Sequence, residues 1–111
     1  MTRFGYNITL LDTTAASVNI NSEDANTHQY KSAHVQIITS GLNASDGVVK
    51  LQDSFNATDW NDIPSATVTV LSTSSTHTIR VPQHTGGYIR AVWTKGSVSA
   101  GNITIYLHLK K

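Results

Sequence analysis

Apolar and polar residues alternate without a break from Asn102 to Lys110. Ile103, Ile105, Leu107 and Leu109 fall on one side, and Thr104, Tyr106, His108 and Lys110 on the other. A period of two describes an extended strand with one buried face. The same alternation recurs over Tyr88–Thr94, where Ile89, Ala91 and Trp93 oppose Tyr88, Arg90 and Val92. It also marks Val48–Asp53, Ala66–Leu71, His77–Val81, His34–Thr39 and, more weakly, Tyr6–Leu11, which Ser17–Ile20 extends or follows. No window carries a helical period. Asn-, Asp-, Ser- and Gly-rich stretches separate the strands: residues 21–27, 40–47, 54–62, 72–76, 82–87 and 95–101. These residue types tolerate left-handed backbone or bond their own main chain in turns.

About seven to eight short strands at this spacing predict one all-β domain over residues 1–111, a single antiparallel β-sandwich of jelly-roll-like kind. Residues 1–34 form either edge strands or an N-terminal arm. Pro64 has no amide hydrogen for a ladder, so it should precede its strand. Residues 95–101 should close a hairpin, and the last three strands should form a meander. The expected core is Ile37, Val49, Leu51, Val68, Val70, Ile79, Ile89, Trp93, Ile103, Ile105 and Leu107.

A net charge of +1 with 14% charged residues gives no basic footprint for nucleic acid. There is no cysteine, so neither disulfides nor thiol chemistry is expected. A small β-domain without such staples often gains stability by assembling with copies of itself. The N-terminal apolar run is short and broken by Asn7, Thr9 and Asp12, so neither a signal peptide nor a membrane span is expected. That reading places synthesis and assembly in a cytoplasm. The sequons at Asn7, Asn43, Asn56 and Asn102 then read as by-products of Asn- and Thr-rich strands.

No pattern for catalysis stands out. His28, His34, His77, His84 and His108 show no ligand spacing and read as exposed strand or loop residues. Asp53, Asp59 and Asp62 surround Trp60 without the spacing or glycine of a calcium loop. They read as caps for backbone groups in a tight loop. Glycine-rich phosphate loops and nucleophile-elbow motifs are absent from the sequence. The expectation is a protein that is not an enzyme, with no catalytic, cofactor or metal residues. The residues left to weigh are aromatic. Trp93 alternates with core positions. Tyr106 alternates outward. Trp60 sits in a polar loop, where it reads as a plug for the sandwich end with its indole N–H on a backbone carbonyl. Trp60, Tyr88 and Phe55 are the candidate contacts for a protein interface or a glycan.

The chain resembles a group of small β-sandwich structural proteins of tailed bacteriophages and related viruses. The likeness rests on Leu51, Gln52 and Ser54, then Trp60, Asp62, Ile63 and Pro64. It continues through Val68 and Val70, then Gly87, Tyr88, Ile89, Arg90, Trp93 and Thr94, and ends on Gly101, Ile103, Ile105 and Leu107. One departure is Phe55-Asn56-Ala57-Thr58, where the group has a glycine-bearing turn. The resemblance implies a virion component: a capsid decoration (cement) protein, or a head or tail accessory protein. Its partners would be capsid or other virion proteins and copies of itself, as a trimer, with no nucleic acid and no membrane. The alternative is a carbohydrate-binding module that attaches to a surface glycan. Exposure of Trp60 and Tyr88 together on one concave face would favour the second.

Overall fold

In a computed structural model, the alternating segments become two antiparallel sheets packed face to face. The structure describes residues 5–27, 30, 32–70, 73–81 and 87–110. Among these lie nine strands: β1 (Gly5–Ala15), β2 (Ile20–Asn21), β3 (Ala25–Asn26), β4 (Ser32–Leu42), β5 (Val48–Ser54), β6 (Asn61–Thr69), β7 (Thr73–Val81), β8 (Tyr88–Thr94) and β9 (Asn102–Lys110). One sheet has the order β1-β9-β4-β7. The other runs β2-β8-β5-β6, with β3 also paired to β8. The pairing is nested: β1 with β9, β2 and β3 with β8, β4 with β7, β5 with β6. This is a doubled ribbon rolled into a sandwich, the jelly-roll arrangement.

Apart from β2–β3 and β5–β6, successive strands therefore swap sheets, and this corrects two expectations. β7, β8 and β9 are not a meander, because β8 lies in the sheet opposite the other two. Residues 95–101 are not a hairpin but a crossing from one sheet to the other. Val98, fully buried there, fills the space under the crossing. Asp46 secures it by accepting the Ser97 amide at 3.0 Å on both carboxylate oxygens. Those bonds hold the Asp46 carboxyl below its ordinary pKa.

The inner faces are built mainly of β-branched and leucine side chains around Trp93, which is fully buried. All eleven expected core residues face inward; ten are buried and Val68 is partly so. Strict alternation would put Leu11 outside, yet Leu10 and Leu11 are both buried. A bulge between Thr9 and Leu11, followed by a second before Thr14, lets both reach the core. Pro64 lies within β6 rather than before it. β6 is the sheet edge, and residues 63–66 bulge out opposite Leu51, where a missing amide hydrogen costs no ladder bond. Residues 73–76, expected as a turn, extend β7. Leu71, Ser72 and residues 82–86 lie outside the described residues.

Residues 5–27 pair within the chain. β1 is the edge of the four-stranded sheet, and β2 and β3 together line the edge of the other. Between them, Ser22 Oγ accepts the Ala91 amide at 2.8 Å and so supplies a missing ladder acceptor.

Candidate functional site

The loop after β5 is held by side chains that mimic backbone. Ser54 Oγ accepts the amides of Asn56 and Ala57 at 3.2 and 2.9 Å. Asn56 Oδ1 accepts those of Thr58 and Asp59, both at 2.9 Å, and its Nδ2 donates to Asp59 Oδ2 at 2.9 Å. These bonds hold Ala57 at φ 61°, in the left-handed region. There the resembling group carries its glycine; here the cage of bonds offsets about 1–2 kcal/mol of strain on the alanine. The loop carries Phe55 outward with 74% of its surface exposed.

Trp60 leaves this loop over the outer face of the five-stranded sheet. The Arg90 guanidinium lies 4.4 Å from its ring centroid, and Trp60 is half-buried. A polar chain crosses the strands from there. Arg90 Nε donates to Gln52 Oε1 at 2.9 Å, and Gln52 Nε2 to Asp62 Oδ1 at 2.8 Å. Lys50 Nζ closes the chain, 3.2 Å from Asp62 Oδ1. The Gln52 bond and then Lys50 hold the Asp62 carboxyl below its usual range. It is an acceptor with its partners in place, not a proton donor at neutral pH. Tyr88 is half-buried on the same face of β8 as Arg90, in register with Ser54.

Phe55, Trp60 and Tyr88 thus gather at one end of one sheet. Their exposures differ, and one face of the Trp60 ring is covered by Arg90. The plug position, with an indole N–H on a backbone carbonyl, belongs to Trp93. Its Nε1 donates to Ala16 O at 3.0 Å. Truncating Trp60 should accordingly cost little. Trp60→Ala is expected to lower stability by about 1 kcal/mol, the scale of a partly exposed cation–π contact, measured by urea titration. A loss above about 3 kcal/mol would mean that Trp60 anchors the core after all.

The three aspartates do not converge. Asp59 belongs to the loop cage, Asp62 to the polar chain, and Asp53 lies in β5 in register with Ile89. Among the described residues, no three His, Asp or Glu side chains gather as metal ligands. His28 and His84 lie outside the described residues. The other histidines are half-buried rather than exposed. His77 faces inward from β7 and bonds Ser75 Oγ at 3.2 Å. His34 and His108, distant in sequence, stand opposite each other on β4 and β9. They line a groove on the outer face of the four-stranded sheet with Asn7, Thr9, Gln36 and Tyr106. Sequence reading passed over this group because no local spacing announces it. Its only signal was the outward phase of Tyr106 and His108 in β9.

No family model matches the chain, and no curated protein matches it. Among solved structures it is similar to the SPBc2 prophage-derived protein YomS, with a TM-score of 0.56, 12% identity, and coverage of 96% of this chain and 93% of that one. It is similar to a CBM4 structure at a TM-score of 0.54 and 17% identity, over 96% of this chain and 71% of that one. It also matches the C-terminal domain of a chitobiase from Bacteroides fragilis, at a TM-score of 0.52 and 20% identity over 79% of this chain. The match spans 62% of that domain, less than two thirds of its length. At these identities the likeness is one of fold.

Proposed function

We propose that this chain is a non-enzymatic structural protein of a virion, a capsid decoration protein that bridges subunits. The observation that carries the reading is Phe55. A large apolar side chain stands in solvent on a loop that its own hydrogen bonds have already ordered. Ordering a loop is part of what association costs, so a pre-ordered aromatic makes an effective anchor in a partner's pocket. Phenylalanine offers no polar atom, which suits a dry protein contact better than a sugar's hydroxyls. The end-to-end likeness in fold to a prophage-derived protein, and the phage-like motifs from Leu51 to Leu107, support the same reading. Repeated over a shell, even modest burial per copy accumulates at about 25 cal/mol per Å².

In this reading copies associate as a trimer through the Phe55 end and act in the virion after assembly in the host cytoplasm. Light scattering behind a sizing column should give the mass of three chains. Phe55→Ala should weaken the trimer by about tenfold or more while leaving the melting temperature of the fold nearly unchanged. A strict monomer at all concentrations would remove the trimer and favour a single-chain binding module, the class to which CBM4 folds belong by name.

A further inference from the structure

The groove on the four-stranded sheet lies on the opposite layer from Trp60, Arg90 and Tyr88, and the decoration reading makes no use of it. Its volume is about 540 Å³, within the roughly 300–1,000 Å³ of small-ligand sites. Its side chains come from four neighbouring strands in two registered rows. One row is Asn7, His108 and His34; the next is Thr9, Tyr106, Gln36 and Thr78.

The chemistry of these rows is narrow. Every polar group in the lining is an amide, a hydroxyl, a phenol or an imidazole; no carboxylate, ammonium or guanidinium is among the described lining residues. Burial first, then the positive charges of Arg80, Lys110 and His108, keep His34 below its ordinary pKa and therefore neutral. The Asn7 amide oxygen can only accept, so His108 donates to it through Nδ1 and leaves Nε2 for a further hydrogen bond. Arg80, in register with His34, and Lys110 sit beside the groove rather than in its lining. Tyr106, 40% exposed, stands among these groups as a ring with one polar edge.

We infer that this groove binds a neutral oligosaccharide, with Tyr106 packing against the C–H face of a sugar ring and Gln36, His34, His108 and Asn7 bonding its hydroxyls. A sugar ring presents an apolar face and a rim of paired donors and acceptors. Mixed amides and imidazoles complement that rim without requiring a charge. An apolar ligand would strand these groups without partners. An anionic one would have to draw on Arg80 and Lys110 at the margin.

The test is the intact chain on an array of neutral and carboxylated oligosaccharides, followed by calorimetric titration with the neutral probe that binds best. Tyr106→Ala and Gln36→Ala should each weaken that probe by about tenfold or more, while Phe55→Ala leaves it unchanged. Both groove side chains project outward, so thermal melts should show the variants folded. Because the ligand is neutral, affinity should hold from low to high salt. Three results would overturn the inference: no neutral probe bound, neutral probes bound equally by both groove variants, or binding confined to carboxylated probes and abolished by salt. None of these bears on the trimer mass or its dependence on Phe55, so the groove and the decoration reading stand or fall separately.

Discussion

Trp93→Ala should lower the stability of this domain by about 3–5 kcal/mol and its melting temperature by roughly 15 °C or more. The indole is the largest fully buried side chain, on β8 in register with Val49 of β5 and Ile20 of β2. Truncation leaves a cavity that the surrounding strands, fixed by ladder bonds, cannot collapse to fill. It also leaves Ala16 O without the indole N–H, a buried acceptor whose loss of a partner adds about 1–3 kcal/mol at most. Ala16 precedes β2, and its own amide bonds Gly101 O at 3.0 Å. The substitution therefore loosens the point where the first sheet hands the chain to the second. A domain of this size has about 5–15 kcal/mol in total, so the alanine variant stands near the limit of folding. Trp93→Phe keeps most of the apolar volume and should lose about 1–3 kcal/mol. Thermal unfolding followed by circular dichroism measures both. A melting temperature within 3 °C of the parent for Trp93→Ala would show that this end of the sandwich contributes little.

The parts of this fold that were legible in the sequence are those where one physical demand acts alone. β8 and β9 are interior strands with one face in the core, so burial writes a clean alternation into them. Edge strands answer to other demands. β1 breaks phase at Leu10 and Leu11 because its bulges turn both inward. β6 carries Pro64 because an edge forgives a missing donor. β7 begins with a polar run that reads as a turn, yet Ser75 faces the interior and meets the buried Thr39, the two hydroxyl oxygens 2.8 Å apart. The path between sheets was illegible for a different reason. A seven-residue connection such as 95–101 closes a hairpin or crosses a sandwich equally well, and only the nested pairing of distant strands decides. The same long-range pairing unites His34 with His108, which no local motif could show. The loop of Phe55 and Trp60 was legible as a loop, and its Asn and Asp content as capping. That Arg90 would cover Trp60 depended on a register between β5 and β8 that composition does not encode.

Gly47→Ala is expected to cost about 2–3 kcal/mol although it adds a single methyl group. A Cβ at this position would lie 2.1 Å from Cη2 of Trp93, with Cζ3 and Cζ2 at 2.8 and 2.9 Å. Glycine is required here by the closeness of the indole rather than by a left-handed backbone. The ring cannot swing away, because it is fully buried and tied to Ala16 O. The backbone of Gly47 cannot retreat either, since its carbonyl accepts the Val70 amide at 2.9 Å. If the cost is this contact, shortening the ring should relieve it. Phenylalanine lacks all three indole atoms that the methyl would meet. In the Trp93→Phe background, Gly47→Ala should then cost less than 1 kcal/mol, giving a coupling of about 1–2 kcal/mol in a double-mutant cycle by urea unfolding. The added methyl would even fill part of the space that the shorter ring leaves. An undiminished cost in the phenylalanine background would move the cause to the backbone at the β4–β5 turn, and the packing of Trp93 on Gly47 would no longer explain why a glycine stands there.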